Sequence, residues 1–227
     1  MLDLTDVRLS DTEFSQPIAA QIWEQKYRYV TGGREIDKTL ADTWSRTARS
    51  LAKAEPPEHQ DKVMQDFLAA FQEFKLLPAG RILAGIGTHR KVTLCNTFVM
   101  RDIPDSVEGI MAVFTEAAHT MQMGGGIGFD FSSIRPRGTL VQSLDCGAGR
   151  PLPAMDICDK VGAMFAPGMR RGAMMATIRV DHPDIFDFIE AKSDPAHFRN
   201  FNLSVLISDA FMAAESKGTD WPLTWKG

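Results

Sequence analysis

Cysteine is scarce in this chain: Cys95, Cys146 and Cys158 are the only three in 227 residues, and no two stand in a C-x-x-C pair. Such scattered thiols exclude a disulfide framework and give no zinc or thioredoxin-like motif, so reduced cysteines are expected. Long uncharged apolar runs are missing as well, and with them any predicted membrane span. The opening MLDLTDVRLSDTEF carries acidic residues where a secretory leader would carry basic ones, and a cytoplasmic setting is the expectation. Basic residues are in deficit, 25 Lys and Arg against 29 Asp and Glu. No general nucleic-acid surface is therefore expected, although a few local arginines suffice for a small anionic ligand. Internal repeats and low-complexity tracts are absent too.

What remains is an ordinary globular composition, 44% hydrophobic and 24% charged, on a chain longer than one usual domain. The first third reads as three helices. QPIAAQIWEQKYRYV brings Ile18, Ile22, Tyr27 and Val30 near one face, DKTLADTWSRTARSLAKA follows, and PPEHQDKVMQDFLAAFQEFKLL opens on prolines. The helical region is thus predicted over 1–77. From Pro78 short strands, glycine-rich turns and helices alternate, the pattern of an α/β domain over 78–227. Within it Val107, Ile110, Met111, Phe114, Ala118 and Met121 keep helical spacing, with Asp105 as the expected cap, Glu108 three residues on, and glycines at the far end. MMATIRV and FNLSVLI read as strands, HPDIFDFIEAK and SDAFMAAES as helices.

Three stretches invite chemistry. VTLCNTFVM, residues 92–100, reads as a buried strand, and by itself it leaves open whether Cys95 packs or reacts. The run GGGIGFDFSSIRPRG lacks the third glycine of a dinucleotide fingerprint and follows a helix instead of opening one; no phosphate loop of the G-x-x-x-x-G-K-[ST] kind exists either. Its glycines can end a helix and let backbones approach, or let a ligand press on bare backbone. Arg135 and Arg137, alternate on an extended segment, would point the same way toward an anionic oxygen cluster, or line a solvated edge. Arg170, Arg171 and Gly172 pose the same pair of alternatives.

Taken in order, LPAGRILAGIGT, VTLCNTFVM, PDSVEGIM, TMQMGGGIGFDFSSIRPRG, RRGAMMATIRVDHPDIFDFIEAK and RNFNLSVLISDAFM resemble the N-terminal part of the adenosylcobalamin-dependent (class II) ribonucleotide reductases. The resemblance implies an N-terminal helical region followed by the first part of a ten-stranded α/β barrel. It implies ribonucleotide reduction by thiyl-radical chemistry, in which two barrel cysteines replace the 2′ hydroxyl and end as a disulfide. Cys95 is placed as the first of those reducing thiols. One departure is visible: Thr97 stands immediately before Phe98 and Val99, where many relatives have the cysteine, and Cys95 lies two residues earlier, on the same face of a continuous strand.

By the same resemblance a deoxynucleoside triphosphate effector binds at a homodimer interface. Asp105 is matched to its sugar, Arg135 and Arg137 to its phosphates, and Lys192 and Arg199, in the loop from Ala191 to Asn200, to the relay of effector identity. Gly125 and Gly126 match the glycine segment beside the ribonucleotide substrate, while Cys146 and Cys158 receive no redox role. The chain ends at WPLTWKG, before the expected finger loop, radical cysteine and second reducing cysteine. Adenosylcobalamin is accordingly expected mainly on parts outside this chain, and the remaining barrel segment or a second polypeptide as a partner. The rival from another class is a non-catalytic nucleotide-sensing or subunit-binding module with the same loops.

Overall fold

The computed structural model describes Phe14 and residues 16–141, 146–147, 151–165, 173–194 and 197–225. Two compact units divide the chain, Met1–Cys95 and Asn96–Gly227.

In the first unit, α1 (Pro17–Lys26) starts on a proline, which fits the first turn of a helix because its missing N–H has no partner to lose there. Helix α1 ends before Val30, which lies in a short antiparallel pair, β1 (Val30–Thr31) with β2 (Arg34–Glu35), and so not on the helix face expected of it. Helix α2 (Leu40–Ala52) opens with a capping box between Thr39 and Asp42, and α3 (Pro57–Phe71) again opens on proline. A 3₁₀ turn, Gln72–Phe74, and α4 (Gly80–Gly85) follow. Trp44, Ala48, Leu68, Phe71 and Leu83 are buried together. Position 78, where the texture of the sequence changes, lies inside this unit, because Leu83 of α4 is buried in the helical cluster.

The second unit runs β3 (Thr97–Val99), α5 (Val107–Gln122), β4 (Gly126–Asp130), β5 (Leu140–Val141), β6 (Cys146–Gly147), α6 (Pro151–Phe165), β7 (Met174–Arg179), α7 (Ile185–Glu190), β8 (Phe201–Leu206) and α8 (Asp209–Lys217). Strands β3, β4, β7 and β8 form one parallel sheet in that spatial order, each new strand joining the edge left by the last. Parallel strands need crossovers, and here helices supply them. Side chains alternate across the pleat: Ile127, Phe129, Met174, Ala176, Ile178 and Phe201 are buried with Phe114, Ala117 and Met121 of α5, Met155 and Cys158 of α6, and Ile185 and Phe188 of α7. These helices thus cover one face of the sheet. Sequential strand order with one covered face is the start of a barrel wall, in contrast to a doubly wound sheet, which reverses order and carries helices on both faces.

The expected strand over 92–100 is shorter than predicted. Only Thr97–Val99 is strand, paired with Gly126–Gly128. Upstream, Val92 and Leu94 approach Gly85 so closely that a Cβ there would meet both side chains at 2.9 Å, and the Thr93 hydroxyl accepts from the Cys95 N–H at 3.1 Å. Packing on α4 and a local hydroxyl-capped turn thus claim the residues that alternation assigned to the sheet.

Candidate functional site

The uncovered face of the sheet carries what the pleat turns away from the core. Val99 pairs with Gly128, Gly128 with Met175 and Met175 with Asn202; the next row is Thr177 with Ser204. Val99 is 92% exposed, and a Cβ built on Gly128 would meet nothing within 4 Å. The result is an open face of mixed character on a parallel scaffold, the apolar Val99 and Met175 beside Gly128, Thr177, Asn202 and Ser204. Met175, Thr177, Asn202 and Ser204 were not singled out from the sequence; the signal was there in the alternation of MMATIR and FNLSVL, which buries every second residue of the first and buries or half-buries every second residue of the other.

Gly125 and Gly126 sit where α5 ends and β4 begins. Gly124 closes the helix at φ +86°, a conformation that favours glycine. A Cβ on Gly125 would stand 2.9 Å from both Phe98 and Thr120 side-chain carbons, and one on Gly126 would stand 3.1 Å from the Ala173 carbonyl oxygen. The Gly126 N–H donates to the Asn96 carbonyl at 2.8 Å. Both glycines are therefore fixed by close approach of neighbouring chain. Cys95 precedes this strand junction and is exposed. Cys158 differs: it is fully buried, its sulfur 4.0 Å from that of Met174, and burial first and the nearby Asp159 charge second push its thiol up to about 12. That thiol is inert at neutral pH. Of Cys146 only the backbone, in β6, lies within the described residues.

Asp105 and Arg135, 30 residues apart, are brought together at the start of α5. Arg135 Nε donates to Asp105 Oδ2 at 2.5 Å and Nη2 to the Asp105 carbonyl at 3.0 Å. Asp105 does not cap α5 as expected. Ser106 does, accepting from the Gly109 N–H at 3.0 Å, because its hydroxyl reaches the third residue of the helix while the Asp105 carboxylate is held by the arginine. The Ser133 hydroxyl donates to the Ile103 carbonyl at 2.7 Å, tying the same two segments. Arg137 is exposed, and its backbone N–H donates to Asp184 Oδ2 at 3.0 Å. The stretch from Phe131 to Gly138 is turns, so its two arginines are presented by a folded loop and not by strand alternation.

In the segment from Ala191 to Asn200, Lys192 Nζ donates to the Phe201 carbonyl at 2.6 Å and Arg199 is exposed; residues 195–196 lie outside the described set. Two contacts fasten the segment to α6. His197 Nε2 donates to Asp156 Oδ1 at 2.8 Å with Nδ1 on the Ala191 carbonyl at 3.0 Å, and Asn200 Nδ2 donates to Asp159 Oδ1 at 3.1 Å. The hydrogen bond to Asp156, ahead of the Ala191 carbonyl and the Asp156 and Asp194 charges, raises the His197 pKa against a smaller opposing effect of burial. Phe198 between them is buried at φ +47°. Arg170, Arg171 and Gly172 lie outside the described residues.

Comparison with known proteins gives the same family twice. The family described as ribonucleotide reductase, all-alpha domain, matches residues 13–91, and that described as ribonucleotide reductase, barrel domain, matches residues 95–225. The chain is 36% identical over 187 residues to the vitamin B12-dependent ribonucleoside-diphosphate reductase of Mycobacterium tuberculosis, covering 80% of this chain and 27% of that protein. It is 33% identical over 147 residues to the enzyme of that name from Thermoplasma acidophilum, covering 64% and 19%. Identity to the ribonucleoside-diphosphate reductase subunit alpha of Helicobacter pylori J99 is 26% over 175 residues, covering 75% and 22%. The chain thus spans about a quarter of the length of the curated relatives it matches.

Proposed function

Because the chain belongs to the ribonucleotide reductase family, as a partial segment of it, we propose that it supplies one reducing thiol, part of the substrate floor and most of the specificity-effector site of a vitamin B12-dependent reductase. Cys95 is the donor thiol. With a second cysteine outside this chain it gives two electrons and two protons in all; the ribose 2′ hydroxyl leaves as water, a C–H bond takes its place, and the two sulfurs join as a disulfide. A thiyl radical, also outside this chain, starts the sequence by taking the 3′ hydrogen. The sheet face that carries Gly126 and Gly128 receives the ribose. Adenosylcobalamin generates the radical when bound. The cofactor is assigned mainly to the rest of the enzyme.

The observation that carries the effector reading is the meeting of Asp105 and Arg135 in a loop that also exposes Arg137. A carboxylate suits a sugar hydroxyl, and guanidinium forks suit phosphate oxygens. Lys192 and Arg199 relay effector identity toward the substrate base. A homodimer is supported by apolar side chains exposed on α5 and α6, Val107 at 74%, Met164 at 78%, Ile157, and Met111 and Phe165, which line one groove. No helix among the described residues is long and apolar enough to cross a membrane, and the chain is assigned to the cytoplasm.

Calorimetric titration with each of the four deoxynucleoside triphosphates, at high protein concentration, tests the effector site. Heat that weakens with added salt is expected; none at millimolar ligand overturns the effector reading. The chain mixed with adenosylcobalamin and a dithiol is expected to form no deoxynucleotide until the remaining barrel segment is supplied, and a failure to gain activity then overturns the reductase reading.

A further inference from the structure

The His-Pro-Asp sequence at 182–184 makes an arrangement that core packing alone does not call for. His182 is fully buried, with Trp225 edge-on at 5.5 Å between ring centroids. Its two ring nitrogens serve different partners. Nε2 lies 2.9 Å from the Ile134 carbonyl oxygen, which can only accept, and Nδ1 accepts from the Asp184 N–H at 3.0 Å. Those partners select the Nε2–H tautomer. Asp184 stands at the N-cap of α7, yet its carboxylate makes no capping bond. It accepts instead from the Arg137 N–H.

Both ends of this relay fall on peptide planes immediately ahead of an arginine. The Ile134 carbonyl belongs to the peptide that enters Arg135, and the Arg137 N–H to the peptide that enters Arg137. Pro136 between them is buried and has a fixed φ. Orienting those two planes sets where each guanidinium leaves the backbone. A helix-capping group diverted from its own helix, and a buried histidine with both nitrogens on main chain, therefore converge on the loop with the two arginines.

We propose that His182 and Asp184 are positioning residues for the phosphates of the effector: they hold the peptide planes of Arg135 and Arg137 so that both guanidiniums meet one triphosphate. The proposal rests on the effector reading above. The ligand never touches either residue, and the arginines remain the binding groups.

The test is calorimetric titration of the full chain with inorganic tripolyphosphate and with the deoxynucleoside triphosphate of highest affinity, beside thermal melting. Asp184→Ser is the decisive variant, because Asp184 makes no capping bond to α7 that the change would remove, and a serine is one atom too short to keep the Arg137 N–H. Its melting temperature is expected to match the unaltered chain while affinity falls about tenfold, the loss of one positioning hydrogen bond. Asp184→Asn, whose side-chain oxygen can still accept, is expected to restore binding. His182→Phe fills the same space without either nitrogen and is expected to weaken both ligands. A folded Asp184→Ser chain that binds like the unaltered one overturns the proposal and leaves the effector reading standing, and so does an Asp184→Asn chain as weak as the serine variant. Absence of binding by the unaltered chain fails the effector reading and this proposal with it.

Discussion

Arg135 holds Asp105 by two donors at once, Nε on the carboxylate and Nη2 on the main-chain carbonyl, so two groups proposed to contact an effector are already in contact with each other. The ion pair is about one-third exposed on each side, 31% and 27%, and is worth roughly 1 kcal/mol or less to the fold. A double-mutant cycle with Asp105→Asn and Arg135→Gln, followed by urea unfolding, is expected to return a coupling of that size. Triphosphate affinity is expected to fall about tenfold in Arg135→Gln, where a charge-assisted bond is lost. A coupling near zero would show that the two groups do not hold each other in solution.

The described thiols are expected to behave oppositely. Cys95 is exposed and is labelled by an alkylating reagent in the folded chain; Cys158, buried with its thiol pushed up to about 12, is labelled only on unfolding. Peptide mass mapping with and without denaturant reads both. In the enzyme completed with its remaining segment, Cys95→Ser is expected to cut deoxynucleotide formation by orders of magnitude with effector binding intact. Cys158→Ser costs on the order of 1 kcal/mol of stability, as point changes commonly do. Normal turnover in Cys95→Ser would put the reducing thiol elsewhere.

The pH dependence of the segment from Ala191 to Asn200 follows from His197. Both ring nitrogens face acceptors, the Asp156 carboxylate and the Ala191 carbonyl, so the doubly protonated ring serves both. A pKa raised on folding means that this anchor is fully present below the ordinary histidine range and is lost as pH rises through the raised value. Proton NMR is expected to show a His197 midpoint above that of an unfolded peptide, and the protection of the Asn200 amide relative to an unfolded peptide at the same pH is expected to fall as pH rises. Asp156→Asn removes the largest cause and moves the midpoint back toward the ordinary value. An unchanged midpoint in that variant would assign the shift to some other group.

Self-association is the expectation for the apolar surface on α5 and α6. Sedimentation of the unaltered chain is expected to show dimers or larger species, and Met164→Glu, placed where exposure is greatest on α6, to shift them toward monomer. A monomer at every concentration would count against the homodimer.

Elements with strong periodicity were legible in the sequence: Val107 to Met121 as a helix, MMATIR and FNLSVL as strands, Asp209–Lys217 as a helix. The side chains of the first three meet a single core, and the pattern records it; the last helix buries no residue. The stretch from Val92 to Cys95 was not legible, because its alternation is satisfied by Gly85 instead of by a neighbouring strand. Ser106 rather than Asp105 caps α5, while Arg135 from 30 residues away holds the Asp105 carboxylate. The segment Pro151–Phe165 forms a full helix that the pattern reading did not delimit. The roles of His182 and Asp184 were equally hidden, since each depends on a backbone group some 47 or 48 positions earlier. Local pattern reaches only its own neighbourhood; contacts of that separation exist only once the sheet has formed.

The order β3-β4-β7-β8 in space repeats the order of synthesis. Each strand after β3 therefore pairs with one that precedes it in the chain. Helix α5 separates the first pair and α7 the last, so those two closures span a modest length of chain, whereas the closure of β4 with β7 reaches across β5, β6 and α6. In a wall of this kind β8 is the edge strand farthest from β3, and its outer side pairs with no strand among the described residues.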